Sequence, residues 1–362
     1  MNLTGIRRIQ SLDGPVLITG HTGFKGAWLK LLLEKLQIDQ IGLSLKPDLE
    51  SLFSKLAFQP LNHDEIGDIN DFKSCLLFFQ SHQPSVVIHL AAQPLVLESY
   101  KQPIDTFQTN VMGTANILEC ARRTSSVKVV LVSTTDKVYE NLNTSRPFSE
   151  EDNLKGKDPY SASKVGTESV INAWRNISKI ESGPNISAAR AGNVIGGGDF
   201  AKDRLIPDLV RGTIKNQDVM IRNSRSNRPW QHALDPLFGY LQLINTLLDG
   251  VDVPAMNFGP NGFNLSVAEV VNLFSTKSAV KPNVVFEDNG TSNSLEAETL
   301  YLDATFSKNL LNWTPKWTQE EAVISTAKWW DNVLNKGMTA REACLLDIEE
   351  LLLAPEEQPN FS

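Results

Sequence analysis

A short apolar run that ends in three regularly spaced glycines constrains the fold of this chain more than any other feature. The run is Val16–Thr19, and Gly20, Gly23 and Gly26 follow it in a G-x-x-G-x-x-G spacing. The run predicts a buried strand, and the apolar residues at helical spacing in 27–36 predict a helix after the turn. A strand, a glycine turn and a helix in this order are typical of the first unit of a dinucleotide-binding fold.

The glycine turn predicts a binding site for the phosphates of a dinucleotide. Gly20 would permit the tight turn, Gly23 would let the backbone approach a pyrophosphate, and Gly26 would let the helix pack on the strand. The helix N-terminus behind them offers amide groups and the positive end of a helix dipole. The predicted cofactor-binding residues of the turn are Gly20, Thr22, Gly23, Phe24, Lys25 and Gly26. The alternative is a turn of the same shape that holds no ligand.

Apolar runs and helical patterns alternate through the first half of the chain. The later predicted strands are 40–45, 85–90, 127–132 and 188–194, and the predicted helices include 113–122 and one that begins after Pro159. Such alternation implies βαβ units and a parallel sheet. The expected fold class is therefore α/β, with a Rossmann-type doubly wound parallel sheet and a smaller C-terminal α/β lobe.

The length of the chain favours two lobes, since 362 residues are many for one compact domain. The first lobe is predicted to span residues 1–195, with a returning segment near 233–260. Residues 196–362 should form mainly the second lobe, which is therefore discontinuous in sequence.

Composition excludes several functional classes. The net charge of −8 argues against broad binding to nucleic acids or anionic membranes. Cys75, Cys120 and Cys344 are widely spaced, which favours a reducing compartment over a disulfide scaffold. With no signal-peptide pattern and no apolar stretch long enough for a membrane span, we expect a cytoplasmic protein. The histidines and cysteines show no metal-site spacing, so no metal is expected.

The segment after the second predicted strand bears on the choice of cofactor. An acid at this strand end would bind the ribose 2′-hydroxyl of NAD, and the chain has none there. Ser44 could contact the ribose, whereas Lys46 could instead attract the 2′-phosphate of NADP. Asp68 and Ile69 follow a possible third strand. Asp68 either accepts a hydrogen bond from the adenine amino group or is an ordinary solvated turn residue.

Tyr160 and Lys164 share one face of the helix after Pro159, because they are four residues apart. A tyrosine with a pKa of about 10 is a poor base at neutral pH, but a nearby ammonium group and a nicotinamide cation would favour the phenolate. A phenolate that takes a proton from an alcohol, beside a nicotinamide, makes an alcohol-oxidising site. The alternative is a surface Tyr–Lys pair, which the upstream glycine turn disfavours.

A polar segment that includes Thr135, Asp136 and Lys137 follows the predicted strand 127–132. Ligands of open parallel sheets lie beyond the carboxyl ends of the strands, so these side chains should face the same crevice as Gly20. An acid beside a base suits a reaction with two proton transfers. An ordinary polar loop is the alternative.

These motifs resemble the extended short-chain dehydrogenase/reductase family, and within it the NAD-dependent sugar-nucleotide epimerases and 4,6-dehydratases. The resemblance covers most of residues 16–330. It rests on TGHTGFKGAWL (19–29), HLAAQPLV (89–96), TNVMGT (109–114), TTDKVYEN (134–141), DPYSASK (158–164), RAGNVIGGGDFAKDRLIPD (190–208) and RPWQHALDPL (228–237). The pair Asp136–Lys137 and the GNVIGGGD stretch are the most specific features, since related dTDP- and GDP-sugar dehydratases carry Asp-Glu or Ser-Glu at the pair.

The resemblance implies a role for each matching residue. By it, Thr135, Tyr160 and Lys164 form the oxidation triad, while Asp136 and Lys137 occupy the acid and base positions of dehydration. The implied NAD contacts beyond the glycine turn are Ser44, Asp68, Ile69, Leu90, Ala91, Ala92, Asn110, Tyr160 and Lys164. The implied substrate contacts are Gln93, Asn193, Arg204, Leu205, Ile206 and Arg228. An arginine at position 228 suits bidentate binding of a pyrophosphate.

The implied activity is the 4,6-dehydration of CDP-glucose, with NAD recycled and a smaller lobe that binds the sugar nucleotide. The chain departs from the family pattern at Thr135, Val138 and Leu295, where members often have serine, cysteine and histidine. The leucine at position 295 leaves the specificity for the nucleobase open. A homodimer or homotetramer is expected, and neither nucleic acid nor membrane is an expected partner. A 4-epimerase and a non-catalytic dinucleotide sensor are the alternatives. The Asp–Lys pair argues against the first, and the intact Tyr160 and Lys164 argue against the second.

Overall fold

The computed structural model describes residues 6–58, 64–142, 146–221, 223–262, 264–278, 281–287 and 300–353. These residues form strands, which in chain order are β1 (Val16–Thr19), β2 (Gln40–Ser44), β3 (Glu65–Ile66), β4 (Val86–His89), β5 (Val129–Ser133), β6 (Asn185–Ala191), β7 (Val194–Ile195), β8 (Asp218–Ile221), β9 (Asn227–Arg228), β10 (Gln231–His232), β11 (Ala255–Phe258), β12 (Leu265–Ser266) and β13 (Asn283–Phe286).

The helices of the described residues are α1 (Arg7–Gln10), α2 (Phe24–Lys35), α3 (Leu52–Lys55), α4 (Phe72–His82), α5 (Val96–Lys101), α6 (Pro103–Phe107), α7 (Thr114–Arg122), α8 (Pro159–Glu181), α9 (Leu205–Lys215), α10 (Leu234–Leu248), α11 (Val267–Lys277), α12 (Thr305–Leu311), α13 (Gln319–Leu334) and α14 (Ala340–Leu352). A π-helical turn, Gln108–Gly113, leads into α7, and a 3₁₀ turn, Asp136–Val138, follows β5.

A seven-stranded parallel sheet in the order β3-β2-β1-β4-β5-β6-β11 forms the centre of the molecule. Apart from the short, exposed edge strand β3, its strands are mostly apolar and buried on both faces, as parallel strands covered by helices usually are. In β1, Leu17 packs into a core cluster that includes residues of α4, α7 and α8, while its neighbours Val16 and Ile18 pack into a cluster that includes α2 and α10. Successive strand residues point to opposite faces, so helices cover both faces. The predicted doubly wound α/β fold is confirmed.

Two predicted elements differ from the structure at their ends. α2 begins three residues earlier than predicted, because Gly23 is its N-cap and the helix starts at Phe24. The predicted strand 188–194 divides into β6, which starts at Asn185, and the two-residue β7. β7 leaves the sheet to pair with β10. The division follows Gly192, where a Cβ atom would lie 2.6 Å from the ring of Pro229.

Small strand pairs lie outside the main sheet: β8 pairs with β13, and β9 pairs with β12. The segment predicted to return to the first lobe forms α10 and then β11, which joins the main sheet beside β6. The boundaries of the two lobes stay a prediction.

Within the described ranges, the structure contains no helix with the length and apolar character needed to cross a membrane.

Candidate active site

The glycine turn is packed so closely that side chains would not fit at two of its positions. Gly20 has a φ of 75°, a left-handed conformation that favours glycine, and a Cβ atom there would lie 2.7 Å from the backbone nitrogen of Ala91. A Cβ atom at Gly26 would lie 2.1 Å from the carbonyl oxygen of Gly20. Gly23 directly precedes α2, whose first amide groups have no partners within the helix. The turn therefore presents a helix N-terminus that can receive an anion.

Hydrogen bonds fix the end of β2 to this turn. The hydroxyl oxygens of Thr22 and Ser44 are 2.8 Å apart, and both side chains are buried. Asp68 is exposed and accepts a hydrogen bond from the backbone amide of Asn70 at 2.9 Å, whereas Ile69 beside it is buried. Ser44 thus forms part of the wall of the turn, and the carboxylate of Asp68 is accessible to a ligand.

Asn110 connects the loop after β4 to α8. Its Oδ1 accepts from the backbone amide of Gln93 at 2.8 Å, and its Nδ2 donates to the Gln93 carbonyl at 3.1 Å and to Ser163 Oγ at 2.9 Å. Asn110 lies in the π-helical turn, and such turns inside helices frequently mark functional sites. Leu90 and Ala92 of the same loop line the cleft described next, so Asn110 supports one of its walls.

A cleft of about 540 Å³ lies at the carboxyl end of the sheet, and Thr135, Tyr160 and Lys164 all line it. The Thr135 hydroxyl lies near enough to the Tyr160 hydroxyl to lower its pKa. Lys164 Nζ donates to the carbonyl oxygen of Ser133 at 3.2 Å. Tyr160 and Lys164 come from one face of α8, and Thr135 comes from the end of β5, so the structure brings the three predicted oxidation residues together.

Burial dominates the titration of this group. It raises the pKa of Tyr160, and the positive charge of Lys137 is the largest opposing effect, followed by the Thr135 hydrogen bond. The pKa of Lys164 is lowered to about 7, chiefly by burial and also by the charge of Lys25, while the charge of Glu168 opposes this shift. The sequence predicted that Lys164 favours the phenolate. In the protein alone the stronger influence comes from Lys137, because burial moves Lys164 towards its neutral form.

The predicted acid and base lie in different surroundings. Lys137 lines the cleft, and its Nζ donates to Asn193 Oδ1 at 3.2 Å. Asp136 is only 1% exposed, accepts from Thr135 Oγ1 at 3.1 Å, and lies 3.6 Å from Lys137 Nζ. Asp136 thus pairs with Lys137 but does not itself line the cleft, and its role as the acid of dehydration stays a prediction. Its Oδ2 would lie 3.1 Å from a Cβ atom at Gly192.

Most predicted substrate contacts line the same cleft, namely Asn193, Arg204, Leu205, Ile206 and Arg228. Arg204 donates to Asp199 Oδ2 at 2.9 Å, which holds its guanidinium at the cleft wall. Arg228 is buried and donates to the carbonyl oxygen of Asn227 at 3.0 Å. The segment around Leu295, where the family pattern has histidine, lies outside the described residues.

Gln93 is the exception among the predicted substrate contacts. Its Nε2 donates to the carbonyl oxygen of Leu95 at 3.1 Å and to Thr106 Oγ1 at 2.9 Å, and its Oε1 accepts from the backbone amide of Leu95 at 2.6 Å. Both ends of the side-chain amide are therefore engaged within the protein. Gln93 stabilises its own loop, and Ala92 and Pro94 form the cleft wall beside it.

Sequence reasoning assigned Lys25 to the cofactor site but missed its partners. Lys25 Nζ donates to Ser133 Oγ at 2.8 Å and to the Tyr240 hydroxyl at 3.4 Å. Burial and the nearby charge of Arg204 lower the pKa of Lys25 to about 8. No local pattern points to Tyr240, which lies 107 residues from Ser133 along the chain.

A buried ion pair beneath the cleft was also missed. Glu168 accepts hydrogen bonds from Thr134 Oγ1 at 2.7 Å and from Arg190 Nε at 2.9 Å. A signal for Glu168 was present, because it follows Lys164 by four residues and so lies on the same face of α8. The sequence signal for Arg190 was limited to its position in segment 190–208, which resembles the family pattern.

His232 is part of the packed interior of the protein. It is fully buried, its ring packs against Trp28 and Trp317, and its Nε2 lies 3.4 Å from Asp347 Oδ2. In the part of the chain that the structure describes, no group of three or more histidine, cysteine, aspartate or glutamate side chains could hold a metal ion.

Two comparisons place the fold and sequence among known proteins. The structure is similar to that of a dTDP-glucose 4,6-dehydratase from Streptomyces venezuelae with NAD bound, with a TM-score of 0.74 and 22% identity over 89% of this chain and 98% of that one. In sequence, the chain is 27% identical to a dTDP-glucose 4,6-dehydratase of Escherichia coli, over 88% of this chain and 93% of the relative.

A stronger match and a family model agree with these likenesses. A CDP-glucose 4,6-dehydratase of Salmonella typhimurium is 40% identical over 323 residues, which cover 87% of this chain and 89% of that protein. The family model described as GDP-mannose 4,6-dehydratase matches residues 17–326. This match spans both the glycine turn and the cleft residues, and the chain therefore belongs to the GDP-mannose 4,6-dehydratase family.

Proposed function

We propose that the protein converts CDP-glucose to CDP-4-dehydro-6-deoxy-D-glucose and water, with NAD as a recycled cofactor. The observation that carries the proposal is the convergence of Thr135, Tyr160, Lys164 and Lys137 on one cleft, since these groups suit an alcohol oxidation followed by a second proton transfer. The relative that is 40% identical and named CDP-glucose 4,6-dehydratase supports the choice of substrate.

The glycine turn fits a dinucleotide. The positions of Gly20 and Gly26 exclude any side chain, and the N-terminus of α2 can receive the pyrophosphate. Ser44 would contact the adenosine ribose and Asp68 the adenine, while the exposed Lys46 would act only on a 2′-phosphate. Ile69, Leu90, Ala91, Ala92 and Asn110 would form the rest of the site. When bound, NAD would take hydride from the sugar C4 and return it to C6.

The oxidation half of the reaction uses the triad. The Tyr160 phenolate takes the proton of the C4 hydroxyl, while Thr135 donates a hydrogen bond to the C4 oxygen. Lys164 binds the nicotinamide ribose and, when protonated, favours the phenolate. Because burial holds the Tyr160 proton in place in the protein alone, cofactor binding must promote its release.

The dehydration half uses the Asp–Lys pair. The C4 ketone acidifies the C5 proton, which a neutral Lys137 amine can accept from its place in the cleft wall and would give back to C5 when hydride is delivered to C6. Asp136 is the proposed acid for the leaving C6 hydroxyl. Its Oδ2 lies directly behind Gly192, which lines the cleft, so the C6 oxygen must approach over this glycine. Arg204, Leu205, Ile206, Asn193 and Arg228 would hold the sugar nucleotide, with Arg228 on its pyrophosphate.

The same proposal covers assembly and location. α5, α6 and the π-helical turn carry a cluster of exposed apolar side chains, which are Leu97, Tyr100, Ile104, Phe107 and Met112. Contiguous exposed apolar surface marks protein contacts, which supports a homodimer or homotetramer. The three free, buried cysteines are consistent with the reducing cytoplasm.

A 4-epimerase is the second candidate, because it needs the triad but no acid–base pair. The burial of Asp136 is the observation that favours it. Incubation with CDP-, dTDP-, GDP- and UDP-glucose followed by mass spectrometry separates the two reactions. A dehydratase product is lighter by one water, and we expect it with CDP-glucose and without accumulation of NADH. A product of unchanged mass would favour the epimerase, and accumulation of NADH would indicate a simple dehydrogenase.

A further inference from the structure

The buried carboxylate of Glu168 lies between the segment that carries Thr135 and the amine of Lys164. Its Oε1 accepts from Thr134 Oγ1 at 2.7 Å and from Arg190 Nε at 2.9 Å, and its Oε2 accepts from Arg190 Nη2 at 3.1 Å. We propose that Glu168 is a positioning residue of the site: it anchors Thr134, and with it the adjacent Thr135, and supplies the negative charge that faces Lys164. This inference rests on the proposed oxidation chemistry.

The anchoring part follows from the way Thr134 is held. Its backbone amide donates to the Ala189 carbonyl at 2.9 Å in the neighbouring strand β6, and its hydroxyl donates to Glu168. Thr134 is therefore fixed on both its backbone and its side chain. Thr135 is the next residue, at the point where the chain leaves β5 for the 3₁₀ turn, so a shift of Thr134 would move the Thr135 hydroxyl away from Tyr160.

Arg190 keeps this anchor rigid. Besides its two bonds to Glu168, it donates through Nη1 to the Tyr139 hydroxyl at 3.0 Å and to the Glu150 carbonyl at 3.2 Å. The Tyr139 hydroxyl in turn donates to Asn257 Oδ1 at 2.7 Å. Buried ion pairs are weak contributors to stability compared with apolar packing, so the place of this one directly beneath Thr134 is better explained by positioning.

The electrostatic part follows from the charges around Lys164. Glu168 is one helical turn further along α8, and its charge raises the pKa of Lys164 against burial and Lys25, which lower it. The other charged groups that interact with Lys164 are Lys25 on α2 and His89 on β4. Further out, Lys137 acts on Tyr160, Arg190 pairs with Glu168 and Tyr240 accepts from Lys25. Glu168 is the carboxylate that opposes the loss of the Lys164 proton.

The first experiment tests the anchor with Thr134→Val, which removes the hydroxyl, keeps the shape and leaves the Glu168–Arg190 pair intact. We expect kcat to fall about ten- to a hundredfold, as misplacement of a catalytic group does, with little change in KM or in NADH affinity. Thr134→Ser restores the hydroxyl and should recover kcat. Ser169→Ala is the control: it removes an exposed hydroxyl of α8 that donates to the Val165 carbonyl oxygen at 3.2 Å, so it should leave kcat near the parental value.

The second experiment tests the charge with Glu168→Gln, which preserves an acceptor for Thr134. NADH binding is followed by fluorescence between pH 5 and 10 without substrate. Binding should weaken as Lys164 loses its proton, and in the variant this midpoint should move about one pH unit lower. Thr134→Val keeps the carboxylate and should keep the parental midpoint.

These outcomes separate the inference from the proposed function. If the parent makes no dehydrated product, the proposed function fails, yet the NADH midpoint still tests the charge of Glu168. The anchoring role of Glu168 would be contradicted if Thr134→Val had the parental kcat. It would also be contradicted if Thr134→Ser had a kcat as low as that of Thr134→Val. A parental midpoint in Glu168→Gln would overturn the electrostatic part. If Glu168→Gln does not fold, the Thr134 series alone decides whether Glu168 positions the site.

Discussion

The Tyr160 hydroxyl is the single group on which the proposed oxidation depends. The backbone amide of Tyr160 donates a hydrogen bond to Ser99 Oγ at 3.1 Å. The variant Tyr160→Phe retains this bond. We expect this variant to fold and to bind NADH like the parent, and to lose activity by a factor of at least about 100, because proton transfer by a positioned base is worth about 10²–10⁴-fold. Steady-state rates and thermal melting check both parts, and activity within tenfold of the parent would contradict the assignment.

Substitutions of Asp136 and Lys137 should separate the oxidation step from the dehydration step. Asp136→Asn keeps the shape and removes the acid, whereas Lys137→Met keeps the stem and removes the amine. Both variants should bind CDP-glucose and form enzyme-bound NADH, yet make product about 10²–10⁴-fold more slowly. Transient absorbance reports the first step and product mass the second. Near-parental product formation in both variants would leave the segment a purely structural role and favour the epimerase.

At the scale of elements, the junction of β1 and α2 depends on the close approach of Gly26 to the carbonyl oxygen of Gly20. In Gly26→Ala, a methyl group 2.1 Å from that oxygen would force the helix away from the turn, so NADH affinity should fall at least about tenfold. Gly250→Ala, in the turn after α10, is the control: its φ is also left-handed, at 85°, but no heavy atom lies within 4 Å of its new Cβ, so NADH affinity should stay near the parental value. Fluorescence titration compares the two. Equal affinities would mean that the turn does not hold the cofactor.

The elements that the sequence predicts well are those with a local cause. Strands such as β1 and β4 are continuous apolar runs because they are buried on both faces, and α8 follows from its proline and the spacing of Tyr160 and Lys164. β7 escaped prediction because its two residues have meaning only through their pairing with β10. The burial of Asp136 escaped prediction too, since its place is set by contacts with Thr135 and Lys137 rather than by its residue type.

At the scale of the whole molecule, long-range contacts complete the site. Lys25 meets Tyr240 across 215 positions of sequence, and neither residue carries a local signal for the other. Glu168 and Arg190 are closer in sequence, but their pairing depends on how α8 packs on β6. The sequence therefore predicts the site residues that share one motif, but it does not predict the contacts of residues that meet only through packing.

Asp235 should make the stability of the molecule depend on pH. It joins α10 to the segment before α13, since its Oδ1 accepts from the backbone amide of Lys316 at 2.5 Å. Burial raises its pKa to about 7, above the unfolded value of about 3.9. The stability that its neutral form contributes is thus complete below about pH 4 and lost as the pH rises to about 7.

Asp235→Asn removes this titration, because an amide stays neutral. Relative to the parent, the free energy of unfolding of the variant should increase between pH 4 and 7 by at most about 1.4 kcal/mol per pH unit, and then stay level. Urea unfolding at pH 5 and pH 8 measures the difference. The same difference in unfolding free energy between variant and parent at pH 5 and at pH 8 would show that Asp235 is ionised at both pH values.

The position of β11 at the edge of the sheet has a consequence for synthesis. A nascent chain that has emerged only as far as α10 already contains six strands of the sheet, but β6 still lacks the neighbour supplied by Ala255–Phe258. Until then, β6 offers unpaired backbone groups to any other extended chain. The interval between translation of residues 191 and 258 is therefore when this protein is most exposed to misassembly, and a ribosomal pause there would lengthen that exposure.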